Sequence, residues 1–404
     1  MNLDDHHWLV SPDARTWLDT AADGTQSLIE LTQSLRKEIG PKRSQLVVAQ
    51  AELRRRAKAK FSCAGEMFFT RQLLEQATDE QISDYKASRF PANQVMADLC
   101  CGIGGDLRGL VGRGQVTGVD RDPIAVLFAE ANCRTENGAN ARFEVADVNQ
   151  FDVAEFEAWH LDPDRRAAEQ PTGRPRVIGR RRTTKVEYQE PPLDTVNRLL
   201  ATNSPAAIKL APTTKAPAEW AERAELEWIG SRGECRQQVA WFDDLARFPG
   251  ERSATAFVSG SPSPQTVHGI PDAEIPLSPD IGRYVFEPHA AVLAAGLPCV
   301  LAQRHELAEL SPGVAYLTGD EIVEDPILSC FIVVEVLPFD PKHLRTTIRE
   351  RNIGDLEIKK RSVRISTEEL RKQLRLKGDD SATLLLLPIH KKVRAILAKR
   401  ASVV

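Results

Sequence analysis

The sequence predicts an α/β protein in which a Rossmann-like parallel sheet follows a helical region and precedes a smaller α+β module. The first observation is the stretch 95–120, VMADLCCGIGGDLRGLVGRGQVTGVD, where an apolar strand, a glycine turn, a helix-compatible segment and a second strand follow in order. The second is a run without Gly or Pro over residues 45–60, which favours a helix. The third is the β-prone run FIVVEVL at residues 331–337, which begins the last part of the chain.

Residues 1–90 are predicted to form an N-terminal helical region. Apolar residues recur at helical spacing from residue 28 to residue 35. The run RRRAKAK at residues 54–60 is basic, and two interpretations are open: a solvated helix face, or an arm that contacts RNA. Thr70 stands where it can cap a helix over residues 71–77, which by itself indicates a structural role.

The glycine turn predicts the kind of ligand that the sheet binds. Gly102 and Gly104 allow the backbone to turn tightly and a ligand to approach closely. A dinucleotide site requires a third glycine, but Leu107 stands at that position. Asp98 precedes the turn instead, and its carboxylate suits a cationic or amino-bearing ligand, whereas it would repel a pyrophosphate.

Two further acids follow the next two predicted strands. Asp120 ends the second strand, where a carboxylate can accept both hydroxyls of a ribose. Together with Asp98 and the glycine turn, Asp120 resembles the S-adenosylmethionine site of class I methyltransferases. In that class a polar residue after the third strand can bind the adenine amino group, and Asp147 stands at this position; the alternative is an ordinary surface loop. The resemblance implies S-adenosyl-L-methionine as the cofactor and a methyltransferase domain over residues 91–250.

The motif Asp162-Pro163 marks the candidate acceptor site. It follows a short strand, and the carboxyl ends of the strands line the ligand crevice of an open parallel sheet. Many amino-group methyltransferases carry Asp or Asn, two prolines and an aromatic residue here, and the acid and backbone hold the target amine. Asp162 and Pro163 match that pattern and are the predicted catalytic residues, but the aromatic residue is missing. Arg165 and Arg166 stand nearby instead, where they could hold a phosphate or carboxylate of the substrate.

Charge separates the end of the chain from the rest. Residues 342–404 carry 17 Lys and Arg against 7 Asp and Glu, although the whole chain of 404 residues has a formal charge of -4. This asymmetry predicts a basic module over residues 331–404, attached to an acidic body. A Ser-, Pro- and Gly-rich stretch at residues 250–280 predicts that residues 251–330 are a linker with a small helical segment.

Composition also argues against several classes of protein. The seven cysteines are scattered without a Cys-x-x-Cys pair, so reduced thiols are expected and a metal site is not. The acidic N-terminus has no apolar core of signal-peptide length, and no stretch approaches the run of about 18 apolar residues that spans a membrane. We therefore expect a cytoplasmic protein with no membrane association, and a monomer by default.

The chain as a whole resembles a bacterial family of class I methyltransferases with a C-terminal THUMP-like domain. The similarity covers roughly residues 65–400 and rests on separated segments. These are FFTR at 68–71, ADLCCGIGGD at 97–106, GVDRDP at 118–123, LDP at 161–163 and the segment GDLEIKKR at 354–361. THUMP relatives elsewhere present tRNA to an attached catalytic domain, which implies RNA as a partner.

The resemblance implies further site residues. The additional candidates for cofactor binding are Thr70, Cys100 and Arg121. The candidates for substrate binding are Arg165, Arg166, Lys359, Lys360 and Arg361.

We therefore predict an S-adenosylmethionine-dependent methyltransferase that acts on structured RNA, either tRNA or rRNA. One alternative is the same chemistry on a protein or a small molecule, which the missing aromatic residue favours. Another is a catalytically silent RNA-binding protein. The intact acids at positions 98, 120, 147 and 162 argue against that last alternative.

Overall fold

A parallel sheet is the centre of the fold, and the aspartate–glycine turn lies at the end of one of its strands, as the sequence predicts. The computed structural model describes residues 2–23, 27–134, 140–164, 185–390 and 392–401. The chain divides into Met1–Glu225 with Gln238–Pro249, here called unit 1, and Leu226–Gln237 with Gly250–Val404, here called unit 2. Each unit has a hydrophobic core of its own.

The elements of unit 1 follow the predicted alternation of helices and strands. Its helices are α1 (Leu3–Val10), α2 (Arg15–Ala22), α3 (Leu28–Ala57), α4 (Arg71–Gln76), α5 (Glu80–Arg89), α6 (Leu107–Val111), α7 (Pro123–Cys133), α8 (Leu193–Thr202) and α9 (Ala218–Arg223). Its strands are β1 (Val95–Leu99), β2 (Gln115–Asp120), β3 (Ala141–Val145), β4 (Ala158–Leu161), β5 (Ala206–Leu210) and the second half of β7 (Glu234–Phe242). Within the ranges given above, no helix combines the length and hydrophobicity that crossing a membrane requires.

The sheet of unit 1 brings the predicted acids together. Strands β3, β2, β1, β4 and β5 lie side by side in that order and are parallel, and residues 238–242 pair antiparallel with β5. This order confirms the Rossmann-like sheet. Leu99 and Leu161 are completely buried, as expected for a parallel sheet covered on both faces. Because Leu99 lies opposite both Val119 and Leu161, the residues that follow these three strands gather at one edge.

The N-terminal helices share one core with α4 and α7. Helix α3 kinks at Gly40, whose φ of 77° interrupts the helix, and Pro41 follows it. Beyond the kink, Val47 is completely buried in a cluster that also contains Phe69 and Phe128. The predicted helical region is thus packed into unit 1.

The basic run at residues 54–60 has structural contacts at two positions. Arg54 donates to a backbone carbonyl at 2.9 Å. The Lys60 ammonium donates to the carbonyls of Leu74 and Ala77 at 2.8 and 2.7 Å, and so satisfies the C-terminal end of α4. The other three cations of the run are exposed. The run therefore combines structural contacts with a solvated face.

Unit 2 contains a second, larger set of strands. Its helices are α10 (Ala290–Ala295), α11 (Pro298–Arg304), α12 (Pro341–Glu350) and α13 (Thr367–Leu374). Its strands are β6 (Glu225–Ser231), β8 (Arg252–Phe257), β9 (Gln265–Gly269), β10 (Tyr284–Pro288), β11 (Ala308–Glu309), β12 (Leu317–Gly319), β13 (Leu328–Pro338), β14 (Ile353–Lys360), β15 (Asp380–Ile389) and β16 (Lys392–Arg400). The order β11-β12-β10-β13-β16-β15-β14 forms a sheet in which only the pair β14–β15 is parallel among the pairings described.

Residues 251–330 differ from the predicted linker with a small helical segment. Strand β8 pairs in parallel with β6, and β9 pairs antiparallel with β8. Strand β10 then enters the second sheet. The small residues of β8, such as Ala254 and Ala256, are completely buried. The prediction of a linker from composition was wrong here because Ser, Ala and Thr are as compatible with a buried strand as with a loop.

Helices α5 and α6 approach each other closely at Gly109. A Cβ atom at this position would lie 2.8 Å from the Ser83 hydroxyl and 2.9 Å from the Ser83 carbonyl oxygen. A glycine is required because the backbone oxygen cannot move away independently. This contact fixes Asp106, which directly precedes α6, beside α5.

We predict that Gly109→Ala destabilises the protein. Overpacking of this kind costs about 1–3 kcal/mol of unfolding free energy, measured by urea denaturation. Gly112→Ala is the matched control, because a Cβ there would meet its nearest atom at 3.5 Å. Its effect should stay within about 0.5 kcal/mol. Equal destabilisation by the two variants would contradict the proposed role of the close approach.

Candidate active site

A cleft opens in unit 1 at the carboxyl ends of the parallel strands. The predicted residues that line it are Asp98, Cys100, Gly102, Asp120, Arg121, Asp147, Asp162 and Pro163. Thr70 does not line the cleft; its hydroxyl accepts the Leu73 amide at 3.1 Å and caps α4. Gly104 lies in the turn but outside the lining residues, and Arg165 and Arg166 lie outside the described residues.

The glycine turn has the backbone geometry that its sequence predicts. Gly102 and Gly104 have φ angles of 56° and 81°, in the left-handed region that favours glycine. A Cβ on Gly104 would lie 3.4 Å from Ala129 of α7, so this glycine also lets the turn pack on that helix. Cys100 adopts a φ of 58°, and burial raises the pKa of its thiol well above the ordinary value. A neutral Cys100 thiol therefore lines the cleft.

Asp120 is held by the turn. Its Oδ2 accepts the Gly102 amide and its Oδ1 accepts the Asp122 amide, both at 2.9 Å. Burial raises the pKa of this carboxyl, while these two hydrogen bonds oppose the rise. Arg121 beside it lies 3.8 Å from Glu190. Asp120 is thus oriented by the same backbone that forms the glycine turn.

Asp147 is an exposed residue that orders its own loop. Its Oδ1 accepts both the backbone amide and the side-chain amide of Asn149 at 2.9 Å. The Asn149 amide also donates to Glu190 at 3.1 Å. The local loop is therefore organised by the carboxylate that the sequence singles out.

Asp98 has a carboxylate oxygen without a hydrogen-bond partner. The residue is completely buried, and its Oδ1 lies 2.7 Å from Nδ1 of His160. Its Oδ2 has no partner in the part of the chain that the structure describes. Burial raises the pKa of the carboxyl, and the His160 contact opposes this rise. Since an unsatisfied buried acceptor is costly, an ammonium group of a ligand in the cleft would fit this oxygen.

A buried network that sequence reasoning missed connects Asp98 to Asp162. Its additional members are Lys86, His160, Asp106, Thr78 and Lys209, and each of them is less than 8% exposed. The Lys86 ammonium lies 3.1 Å from Nε2 of His160 and 2.6 Å from Asp106. Because an ammonium can only donate, Nε2 accepts and the His160 proton is on Nδ1. The available signal was a polar residue within each apolar strand: His in AWHL and Lys in AAIKLA.

Opposing effects set the pKa of Asp106. Burial alone would raise the pKa of its carboxyl. The charges of Lys86 and Lys209, together with the hydrogen bond from Lys86, outweigh burial and hold that pKa well below the ordinary value. Burial lowers the pKa of Lys86, and the Asp106 carboxylate opposes that shift. Asp106 is therefore the ionised centre of the network.

Asp162 and Pro163 occupy the predicted acceptor end of the cleft. The Asp162 amide continues the sheet by donating to the Leu99 carbonyl at 3.1 Å. Its carboxylate Oδ2 lies 2.5 Å from the Lys209 ammonium. Asp164 accepts the Gln76 side-chain amide at 3.1 Å. No aromatic side chain is among the described residues that line this cleft, in agreement with the missing aromatic residue in the motif.

The candidate substrate cations of residues 359–361 form contacts within unit 2. Lys359 and Arg361 lie 2.7 and 3.0 Å from the carboxylate of Glu287. Arg361 also lies over the Tyr316 ring, 4.6 Å from its centroid. Lys360 donates to the Ile365 carbonyl at 2.6 Å. Much of the positive charge of this segment is therefore already compensated.

Comparison with known proteins defines the class. Residues 328–400 match the THUMP domain-like family model. Two uncharacterized S-adenosylmethionine-dependent methyltransferases, from two strains of Mycobacterium tuberculosis, are 30% identical to the chain over 356 residues, which cover 86% of this chain and 93% of each relative. A crystal structure of a protein assigned as a methyltransferase, from Porphyromonas gingivalis, shares the fold with a TM-score of 0.78 and 20% identity, over 100% of both chains.

The fold, the cleft and these relatives define an S-adenosylmethionine-dependent methyltransferase. More specifically, the chain belongs to the bacterial methyltransferase family that includes the two mycobacterial proteins, and it carries a THUMP-like domain at its C-terminal end. The predicted enzyme class and cofactor are confirmed.

Proposed function

We propose that this methyltransferase modifies a structured RNA, either tRNA or rRNA. The observation that carries the proposal is a row of exposed cations on the outer face of α12 and α13, within the THUMP-like domain. Lys342, Arg345 and Arg349 follow helical spacing on α12, opposite the buried Leu344 and Ile348. Such a cationic surface suits a polyanion such as the phosphate backbone of RNA.

Helix α13 extends this cationic face. Lys372 lies exposed in its last turn, and Arg375 and Lys377 follow, also exposed. The two helices pack against each other and against the same side of the sheet through a shared apolar cluster. In contrast to Lys359 and Arg361, these ammonium and guanidinium groups have no described ion pair, so they support phosphate binding better.

We assign the cofactor to the acids of the cleft. The unpartnered Oδ2 of Asp98 would bind the amino group of S-adenosylmethionine, and the turn at Gly102 would hold the rest of its methionine end. Asp120 would bind the ribose and Asp147 the adenine edge. The cofactor supplies an electrophilic methyl group on a sulfonium. The protein contributes mainly by positioning the two reactants in line.

The acceptor would be bound by Asp162 and Pro163. The Asp162 carboxylate lies at the carboxyl end of β4, where it can orient the nucleophile and accept its proton. Arg165 and Arg166, which lie outside the described residues, stay candidates for substrate contacts. Because the described lining residues include no aromatic side chain, the cleft also suits a protein or small-molecule acceptor, so the first experiment must separate these classes.

We expect the purified protein to transfer tritium from labelled S-adenosylmethionine to RNA. Total RNA and total protein from a strain lacking the gene are offered together. Asp162→Ala should lower RNA labelling by at least about 100-fold, because general acid–base groups contribute at least this much. Asp122→Asn is a control that removes an acid from the same cleft but keeps the helix cap. Label in the protein fraction alone would contradict the RNA proposal.

The cationic face should account for the salt dependence of RNA binding. In Lys342→Ala/Arg345→Ala/Arg349→Ala, the slope of log K against log salt should fall by about 2–3, because each lost phosphate contact removes about 0.9. Fluorescence anisotropy with total tRNA at several salt concentrations measures this slope. Arg15→Ala/Arg36→Ala/Lys37→Ala removes equal charge from exposed positions of α2 and α3 and should leave the slope unchanged. Equal slopes for both triple variants would argue against the proposed surface.

Asp98→Asn should weaken S-adenosylmethionine binding by about 10- to 100-fold, because a charge-assisted hydrogen bond is worth about 1.5–3 kcal/mol. The Asn carbonyl oxygen can still accept the His160 proton, so the network is disturbed little. Calorimetric titration measures the dissociation constant. Asp122→Asn, which removes the same charge from the cleft, should change it less than about threefold. A similar loss in both variants would indicate a general charge effect instead of a specific contact.

A further inference from the structure

We propose that Lys209 is a positioning residue for methyl transfer. It would hold in place the carboxylate of Asp162, the residue that binds the acceptor. The proposal rests on the proposed function only in that it takes Asp162 as the acceptor residue. Lys209 belongs to β5, which pairs with β4 so that Lys209 follows the residue opposite Leu161. It does not line the cleft itself, so it would act through Asp162.

The Lys209 ammonium is fully engaged by acceptors. It donates to the Asp162 carboxylate at 2.5 Å, to the Thr78 hydroxyl at 2.9 Å and to the Gln76 carbonyl at 3.3 Å. An ammonium has three N–H donors, and these acceptors use all of them. The Lys209 side chain is 4% exposed, whereas that of Asp162 is 23% exposed and reaches the cleft. Lys209 is thus held in place, and it in turn holds the accessible carboxylate of Asp162.

The rest of the network holds Lys209 in place. The Thr78 hydroxyl accepts from Lys209 and donates to Asp106 at 2.7 Å. Asp106 in turn pairs with Lys86, which contacts His160 and, through it, Asp98. Every hydrogen bond in this series has a defined donor and acceptor, so the position of Asp162 does not depend on a mobile side chain.

The network ends in two carboxyl groups that each keep an oxygen for a ligand. It joins Lys86 and Lys209 to the carboxyl groups of Asp98, Asp106 and Asp162. The free oxygen of Asp98 can take a cation from the cofactor side. The second oxygen of Asp162 is then available to the acceptor, because Lys209 binds only Oδ2.

The test uses the full chain and two probes, S-adenosylhomocysteine and sinefungin, neither of which requires RNA. Sinefungin carries an amine where S-adenosylmethionine carries its methyl sulfonium, so the ratio of the two affinities reports on the acceptor side of the cofactor. Asp162→Asn should lower the preference for sinefungin by about tenfold. Lys209→Met should also change this ratio by at least about threefold, while S-adenosylhomocysteine affinity stays within about threefold.

The decisive result is the double variant. If Lys209 acts through Asp162, Lys209→Met has no further effect on the ratio in the Asp162→Asn background. Lys209→Arg should restore part of the wild-type ratio. Thr78→Val, which removes one anchor of Lys209 and no charge, provides a milder variant should Lys209→Met not fold. Its smaller effect should likewise disappear in the Asp162→Asn background.

Lys215→Met is the matched control, because it removes an exposed lysine shortly after β5. It should leave both affinities unchanged. An equal effect of Lys209→Met in both backgrounds, or parallel loss of both affinities together with thermal stability, would overturn the proposal in favour of a purely structural role. Because neither probe involves RNA, a failure of RNA labelling would leave this result intact and refute only the proposed substrate.

Discussion

The buried carboxylate of Asp98 is the constraint on which the site depends. A carboxylate without water keeps its charge only where hydrogen bonds and opposite charges replace solvation. Here His160 binds one oxygen, and Lys86 and Asp106 hold His160 in the required tautomer. These groups come from strands β1 and β4, helix α5 and the loop before α6, so the sheet register and the helix packing must both be correct. The free oxygen of Asp98 is left for a ligand.

Chemistry and RNA binding place opposite demands on surface charge. The cleft is lined by several acids and, among the described lining residues, by one cation, Arg121. Such a surface repels a phosphate backbone and favours an amino-bearing cofactor. The exposed cations of α12 and α13 belong to a different unit of the chain. Under the proposed function, salt would therefore weaken RNA binding by unit 2 while the buried contacts of the cleft remain largely unscreened.

Residues next to predicted strand ends could be identified from the sequence, and residues that depend on tertiary contacts could not. Asp98, Asp120 and Asp162 each lie within one residue of the end of a strand, and in a parallel sheet such positions converge. Lys86 and His160 are in contact although 74 positions separate them in the sequence, and no local sequence pattern predicts that contact.

The charged residues near the end of the chain show the same limit. Lys359 and Arg361 are prominent in the sequence, yet both pair with Glu287, more than 70 residues away. The cations of α12 remain exposed because the helix buries only its apolar side. A count of charges predicts a basic module but does not distinguish paired from available cations.

Stability alone does not explain the network between Asp98 and Asp162. Replacing buried ion pairs with apolar residues is often neutral or stabilising, because desolvation offsets most of the Coulombic attraction. Its location is more informative: Asp98 and Asp162 at its two ends line the cleft, whereas Lys86, His160 and Lys209 are buried behind the lining and contact these carboxylates directly or through a neighbour. Groups fixed before the substrates arrive need no reorganisation during the reaction, which is where electrostatic positioning contributes to catalysis. A strand lysine that satisfies three acceptors is well suited to this task, because moving Asp162 would require breaking several buried contacts at once.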